Sequence, residues 1–201
     1  MLSRRTTLGL IVAVSPALIA PARAATAGEA AVTFIRATAD RLLAVVNGAG
    51  SIEARRKALA PIIDSAVDVD GVARFCLGRF WRLATPDQQK QYLALFKNVL
   101  VNNIAVKLGD YRGVKLAIGR AQERDDGELV STTLDRPNNP STTLQWLIAN
   151  AATDPKVIDV IAEGTSLRVT QREDYASFLV RNNSQIASLL EAMRKQLEQT
   201  G

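Results

Sequence analysis

The apolar residues of this 201-residue chain follow two spacings, one in each half. In the first half they recur every three or four positions, which predicts amphipathic helices. One helix is expected over residues 29–47, and Ser51 is placed to cap a second. Pro61 is expected to kink or restart that second helix. Asp68 or Asp70 can cap a third, short helix.

The sharpest local signal is the Thr-Pro-Asp-Gln run at residues 85–88. It offers a threonine N-cap, proline at the first helical position, an acid in the first turn and glutamine at the capping-box position. The helix that follows is expected to reach about Leu108 and to end near Gly109. Its apolar residues cover a broad arc, so other elements must cover it on more than one side.

After Gly113 the apolar residues alternate with polar ones, which predicts strands. Strands are expected over residues 114–118, 129–134 and 142–149, and a fourth begins at Val157. Short turns rich in Asp, Asn, Gly and Pro separate them. Four strands joined in this way are most simply an antiparallel meander.

The stretch 157–175 joins the last strand to the C-terminal helices. It is rich in Val and Ile, but Gly164 interrupts it, which suggests a bulge or a close backbone approach. The alternation is expected to resume at Leu167 and Val169 and then to pass into a helix around residues 175–181. Helices, then a sheet, then helices again predict an α+β fold.

Residues 1–24 have the features of a secretory signal peptide: a positive start, an apolar core and a small-residue cleavage site at 22–24. The Arg4-Arg5 pair also resembles a twin-arginine export signal, although it could be ordinary n-region charge. Either route predicts export. Residues 25–201 are then expected to form a single domain, long enough to bury a sizeable core.

Charge and cysteine content narrow the class of protein. The formal net charge is +5, of which Arg4, Arg5 and Arg23 supply three, so the cleaved chain carries +2. Basic residues are scattered among acids without interleaved aromatics, which does not fit a nucleic-acid groove. No later apolar run approaches ~18 residues, so none is expected to span a membrane. The single cysteine, Cys76, is expected to be a buried structural thiol without a disulfide partner.

Side chains that usually carry catalysis are scarce. The chain has no histidine, and it contains no CxxC, HExxH, GxSxG or phosphate-cradling glycine motif. Neither a metal nor a cofactor is expected. Asp159 and Glu163 stand four apart in an apolar strand, so they should share a face and be partly buried. They are expected to pair with arginine side chains or backbone amides. The alternative is a small-molecule enzyme that uses Asp159 or Glu163.

Several segments, in order, resemble the MlaC or toluene-tolerance family of periplasmic phospholipid-binding proteins. The resemblance rests on Leu-Gly-x-x-Trp from Leu77, the Thr-Pro-x-Gln run at 85–88, and Glu-Gly-x-Ser from Glu163. It covers most of the chain after residue 24. The run 162–175 also resembles the hopanoid-associated branch called HpnM. The chain departs from the family pattern at Pro155 and Ile158, where aromatic residues are common.

The resemblance implies an NTF2-like α+β fold, with a curved antiparallel sheet of about four strands and N- and C-terminal helices around an apolar cavity. It implies a monomeric periplasmic carrier that shields phospholipid acyl chains and shuttles lipid between inner- and outer-membrane transport complexes. A hopanoid carrier is the alternative ligand class. Arg79, Arg82 and Arg168 could meet a phosphate headgroup or a docking partner, or could simply be solvated. The expected cavity wall consists of Leu95, Phe96, Val99, Ile118, Val130, Leu144, Trp146, Ile148, Ile158, Val160, Thr165 and Leu167.

Overall fold

Helices make up the first half of the fold. The computed structural model describes residues 25–48, 50–136 and 139–199, so the predicted signal peptide lies outside the described residues. None of the helices in these ranges is long and apolar enough to cross a membrane. The helical half consists of α1 (Ala27–Gly48), α2 (Ile52–Ala66), α3 (Val69–Leu77), a 3-10 helix (Gly78–Leu83), α4 (Pro86–Leu108) and a 3-10 turn (Gly109–Tyr111).

Polar side chains at the predicted N-caps fix where α2, α3 and α4 begin. Ser51 accepts a hydrogen bond from a first-turn amide of α2, and Asp68 accepts one of 2.9 Å from the amide of Gly71. At α4, Thr85 and Gln88 each accept a hydrogen bond from the other's backbone amide. This reciprocal pair is a capping box. The predicted helix starts are therefore confirmed, with Asp68 as the cap of α3.

Helix α2 runs through Pro61 and does not restart there. Proline lacks an amide hydrogen and crowds the carbonyl four residues earlier, which is why a break was expected. The residues around it oppose that break, because Leu59, Ile62 and Ile63 are almost completely buried against α1 and α4. Burial on both sides of the proline keeps the helix continuous.

Antiparallel strands form a sheet in sequence order, which confirms the predicted meander. The strands are β1 (Lys115–Arg124), β2 (Gly127–Asp135), β3 (Thr142–Ala149), β4 (Lys156–Ala162) and β5 (Thr165–Ser166). The sheet thus has five strands, one more than the predicted number of about four. The additional strand, β5, has two residues and pairs with the end of β4.

The chain turns sharply between β4 and β5. Glu163 and Gly164 have φ angles of 50° and 84°, both in the left-handed region that favours glycine. Ser166 then caps α5 (Leu167–Arg181) by accepting a hydrogen bond of 3.2 Å from the amide of Val169. The expected strand through Leu167 and Val169 is therefore wrong. Gly164 marks a tight turn, and a capping serine follows it at once.

This turn also separates Asp159 from Glu163. Asp159 is buried within β4, at 7 % exposure, whereas Glu163 is exposed at the turn. Counting four residues along an uninterrupted strand placed the two carboxylates on one face. The reversal at Glu163 breaks that count, so the expected shared face is wrong.

The last two helices complete a helical core. Helix α6 (Ile186–Gln199) and α5 pack with α3 and α4 around the fully buried Tyr92. The Tyr92 hydroxyl donates a 2.8 Å hydrogen bond to the carbonyl of Ala73. The rings of Trp81, Phe96 and Tyr175 lie within 6.4 Å of the Tyr92 ring. Of the helices in this core, α3 and α5 also contact β4 of the sheet.

Candidate functional site

One face of the sheet, called here the inner face, is apolar along most of its length. In the observed register Trp146 lies opposite both Val130 and Val160, on the strands at either side. Side chains alternate between the two faces of a strand, so this register assigns each residue to a face. The inner face consists of Leu116, Ile118, Ala121 and Glu123 of β1, Glu128, Val130, Thr132 and Leu134 of β2, Thr142, Leu144, Trp146 and Ile148 of β3, and Val157, Val160 and Ala162 of β4.

Helix α1 covers one end of the inner face. Ala31 and Ile35 pack against Val130 and Ile148 in a single buried cluster. Both strand residues have 0 % exposure. This end of the inner face is ordinary closed core.

Toward its other end, the inner face is less completely covered. Leu116, Leu144, Trp146 and Val160 are only half-buried. Each is a large apolar side chain, and full burial of one typically stabilises by about 1.5–3 kcal/mol. Trp146 and Val160 pack against the edge of the α1-covered cluster, whereas Leu116 and Leu144 belong to none of the buried clusters.

Helix α4 belongs to a layer that is separate from the sheet. It packs mainly on α2, α3 and α6, whereas α1, with smaller contributions from α2, α3 and α5, packs on the strands. On α4, Leu100, Ile104 and Leu108 are also half-buried. The helical layer thus carries half-buried apolar side chains of its own, as the inner face does.

The polar groups on the inner face satisfy one another. The indole N–H of Trp146 donates a 2.9 Å hydrogen bond to the Thr132 hydroxyl. That hydroxyl in turn donates to the carbonyl of Leu144, at 3.3 Å. Thr132 is 1 % exposed. Trp146 is held in one orientation, and the surface that it shares with Leu144 presents mainly apolar atoms.

Asp159 points away from the inner face and anchors the start of α5. Its carboxylate accepts a hydrogen bond of 2.6 Å from the Ser166 hydroxyl and one of 3.1 Å from the backbone amide of Arg168. The Arg168 guanidinium lies 3.5 Å from the same carboxylate and 2.9 Å from that of Asp126. Both oxygens of Asp159 are therefore engaged in joining β4 to α5.

The sequence model of the MlaC protein family matches residues 36–195. The chain belongs to the MlaC family.

Two relatives extend this finding. The toluene tolerance protein ttg2D of Pseudomonas putida is 26 % identical over 132 residues, a match that covers 64 % of this chain and 61 % of the relative. A phospholipid-binding protein of Ralstonia solanacearum, solved in complex with a phospholipid, superposes with a TM-score of 0.74 at 22 % identity. That superposition covers 85 % of this chain and 98 % of the other. At this identity it establishes that the two proteins share a fold.

The motifs that resemble the MlaC family have structural explanations. Gly78 ends α3 with a φ of 56°, and a side chain there would approach the Arg172 guanidinium at 3.2 Å. The Thr-Pro-x-Gln run is the capping box of α4. The Glu-Gly-x-Ser run supplies the turn at Gly164 and the cap at Ser166. Each motif therefore directs the backbone where one element passes into the next.

The structure brings together only some of the residues predicted to form the cavity wall. Leu95, Phe96 and Val99 pack in the helical core. Ile158 lies where the β3–β4 register shifts, and Thr165 and Leu167 are exposed around the start of α5. The remaining predicted residues all lie on the inner face: Ile118, Val130, Leu144, Trp146, Ile148 and Val160.

Other inner-face residues were not predicted. Leu116, Thr132 and Ala162 lie directly opposite predicted residues or one strand away from them. Strand register would have identified them, and register depends on the bulges in β1 and β4. On α4, Leu100, Ile104 and Leu108 were hidden among many apolar residues of one broad helix face.

Two concavities in the described part of the chain lie mainly outside the inner face, although Ile148 lines one of them. One of about 700 Å³ lies between α2, α3 and the first half of α4 and includes Asp64, Asp70 and Lys97 in its lining. The other, of about 310 Å³, lies at the β1–β2 hairpin and includes Glu123 and Asp125. Charged side chains contribute to both linings and disfavour acyl chains there, although Val69, Trp81 and Leu93 make part of the larger lining apolar.

Proposed function

We propose that this MlaC-family protein is a periplasmic phospholipid carrier. Acyl chains lie between the inner face and the α4 layer, and the protein carries lipid between transport complexes of the inner and outer membranes as a monomer. The observation that supports this most strongly is the half-buried end of the inner face, where Leu116, Leu144, Trp146 and Val160 are less completely buried than Val130 and Ile148 at the other end. The phospholipid bound by the Ralstonia relative, which has the same fold, supports it as well.

Enclosure is what an aqueous lipid carrier requires. Each CH₂ exposed to water costs ~0.8 kcal/mol, so one chain of ~16 carbons costs on the order of 13 kcal/mol. A groove open to water would remove only part of this free-energy cost. A space bounded by an apolar sheet face and by the half-buried leucines and isoleucine of α4 would remove more. Shielding of this kind needs no catalytic group, in agreement with the structural role of Asp159.

The ligand is a phospholipid in this proposal, and a hopanoid is the alternative. Both are apolar, so the inner face alone does not separate them. Extraction of lipid from protein purified out of the periplasm, followed by mass spectrometry, separates them directly by mass and phosphorus content. We expect about one phospholipid or more per protein. A polycyclic lipid without phosphorus would identify the hopanoid branch.

A substitution on the inner face tests the site. Val160→Asp places a carboxylate among half-buried apolar groups, and we expect it to abolish lipid co-purification because the charge would be desolvated beside acyl chains. Val180→Asp is the matched control, because Val180 is 59 % exposed on α5. Val99 is unsuitable, since it is 4 % exposed in the helical core and an aspartate there would unfold the protein.

Two outcomes would contradict the proposal. A soluble Val160→Asp protein that retains as much lipid as the Val180→Asp control would show that the inner face does not bind the chains. Absence of lipid from the unmodified protein, together with no uptake from vesicles, would refute the carrier function.

A further inference from the structure

A buried arginine whose Nε has no hydrogen-bond partner lies at the C-terminal end of α4. Arg55 of α2 is only 9 % exposed. Its Nε makes no hydrogen bond, and none of the ion pairs between described residues includes it. An arginine is always charged, and a buried charge is strongly destabilising unless an anion or hydrogen-bond acceptors compensate it. The Nε of Arg55 is thus a buried donor without an acceptor, and no ion pair neutralises its guanidinium among the described residues.

A second arginine lies beside the same short turn. A side chain at Gly109 would approach Nη1 of Arg55 at 2.8 Å, so the guanidinium lies against that residue. Two residues further on, the guanidinium of Arg136 stacks on the ring of Tyr111, 5.0 Å from its centre. The Nε of Arg136 is also buried without a hydrogen-bond partner. The two guanidinium groups therefore flank the Gly109–Tyr111 turn.

These arginines come from the two layers that bound the proposed lipid space. Arg55 belongs to the helical layer, and its helix packs on α1 and α4. Arg136 directly follows β2, whose last inner-face residue is Leu134. The turn itself directly follows Leu108, one of the half-buried residues of α4. The positive groups thus lie where both apolar surfaces end.

Neighbouring acids do not neutralise the pair. Asp110 and Asp135 are exposed, and no ion pair joins either of them to Arg55 or Arg136. The carbonyl groups at the end of α4 favour a nearby cation, but the stabilisation that a helix end gives is modest. That is small beside the cost of desolvating a guanidinium.

We propose that Arg55 and Arg136 form a phosphate site at the mouth of the lipid space. This rests on the proposed function and deepens it, because it assigns the headgroup end of the ligand. A guanidinium presents parallel N–H donors that match two oxygens of a phosphate, so it suits this group better than a lysine would. Acyl chains extend from the site between the inner face and α4, and the phosphate supplies the anion that Arg55 lacks.

The phosphate site can be tested with two lipids, of which only one carries a phosphate. Lipid-stripped protein is mixed with detergent-solubilised dioleoylphosphatidic acid or dioleoylglycerol, which carry the same chains. Native mass spectrometry measures the fraction of protein bound to each. The unmodified protein should prefer the phosphatidic acid at least about tenfold, as expected for charge-assisted hydrogen bonds. Arg55→Met should remove that preference while uptake of dioleoylglycerol persists.

A second variant moves the guanidinium without changing any charge. Gly109→Ala places a methyl group against Nη1 of Arg55, and the backbone there is already helical, so the fold should tolerate it. It should lower the phosphatidic acid preference severalfold. Lys57→Met removes an exposed charge from the same helix, and Gly48→Ala adds a methyl group in open space. Neither control should alter the preference.

The melting temperature of the lipid-free protein separates a lipid-binding role of Arg55 from a structural role. Lipid-free Arg55→Met should melt at the same temperature as the unmodified protein or higher, because it loses an uncompensated buried charge. A fall of several degrees would mean that Arg55 holds the end of α4, and would overturn the proposal. Inorganic phosphate that raises the melting temperature of the unmodified protein but not of Arg55→Met would identify a free anion as the occupant and overturn assignment to a headgroup.

Two further outcomes separate a failure of the phosphate site from a failure of the carrier function. Equal preference for phosphatidic acid in Arg55→Met and the unmodified protein would overturn the phosphate site and leave the carrier function intact. Uptake of neither lipid by the unmodified protein would refute the carrier function and this inference together.

Discussion

The anchoring role of Asp159 makes a quantitative prediction. Asp159→Asn keeps the shape of the side chain but removes its charge and presents an N–H₂ group to existing donors. The side chain of Asp159 is 4 % exposed and that of Arg168 is 20 % exposed. Breaking a buried pair by neutralising one member costs about 3–5 kcal/mol. Because Arg168 is partly solvated and retains Asp126 at 2.9 Å, we expect about 3 kcal/mol.

The matched control neutralises the other acid on the same arginine. Asp126 has a side chain that is 50 % exposed, and such pairs contribute about 0–1 kcal/mol, so Asp126→Asn should be nearly silent. For a domain of this size 1 kcal/mol shifts the melting temperature by ~2–4 °C. Thermal unfolding followed by circular dichroism should therefore show a fall of about 6–12 °C for Asp159→Asn. Equal melting temperatures for the two variants would show that Asp159 does not anchor α5 to β4. Loss of lipid binding without loss of stability would reassign Asp159 to ligand binding.

Two further predictions concern single positions. Burial raises the pKa of the Cys76 thiol to about 12 from 9.0, so native protein should not react with iodoacetamide at pH 8, whereas unfolded protein should; rapid native labelling would contradict this. Since the unfolded chain loses that proton first, this thiol should also make stability fall as pH rises from about 9 towards 12, a slope that Cys76→Ala should reduce. Gly127 has a φ of 147°, and a side chain there would collide with the carbonyl oxygen of Ile148, so Gly127→Ala should lower the melting temperature by several degrees. Gly113→Ala is the control for backbone strain alone, because its φ is 71° and its surroundings are open; equal effects would remove the collision from the explanation.

Local chemistry made several elements predictable. The capping box at Thr85, the cap at Asp68 and the sheet meander involve neighbouring residues, so the sequence contains nearly all the information that they need. The structural effects of Pro61 and Gly164 were harder to predict from the sequence. Burial around Pro61 outweighs its local preference, and the same single glycine is compatible with a bulge or with a turn.

The candidate site depends on features that spacing does not record. Phe96 and Trp146 are both aromatic residues in apolar runs, yet one packs in the helical core and the other lies on the inner face. The assignment of Trp146 follows from strand register and bulges, which arise from pairing between distant segments. Arg55 gives no signal in the sequence, because a charged residue in a helix is normally exposed. Its burial becomes visible only when α2 and the end of α4 are packed together.

Photo-crosslinking can locate the acyl chains of a bound phospholipid within the protein. A phospholipid with a diazirine near the end of one acyl chain is loaded into the protein, irradiated and mapped by peptide mass spectrometry. A lipid bound between the inner face and α4 should give cross-links on β3 and β4, around Leu144 and Val160, and on the half of α4 that carries Ile104. Cross-links confined to the exposed side of α5 around Val180, or spread over the surface without saturation, would contradict it.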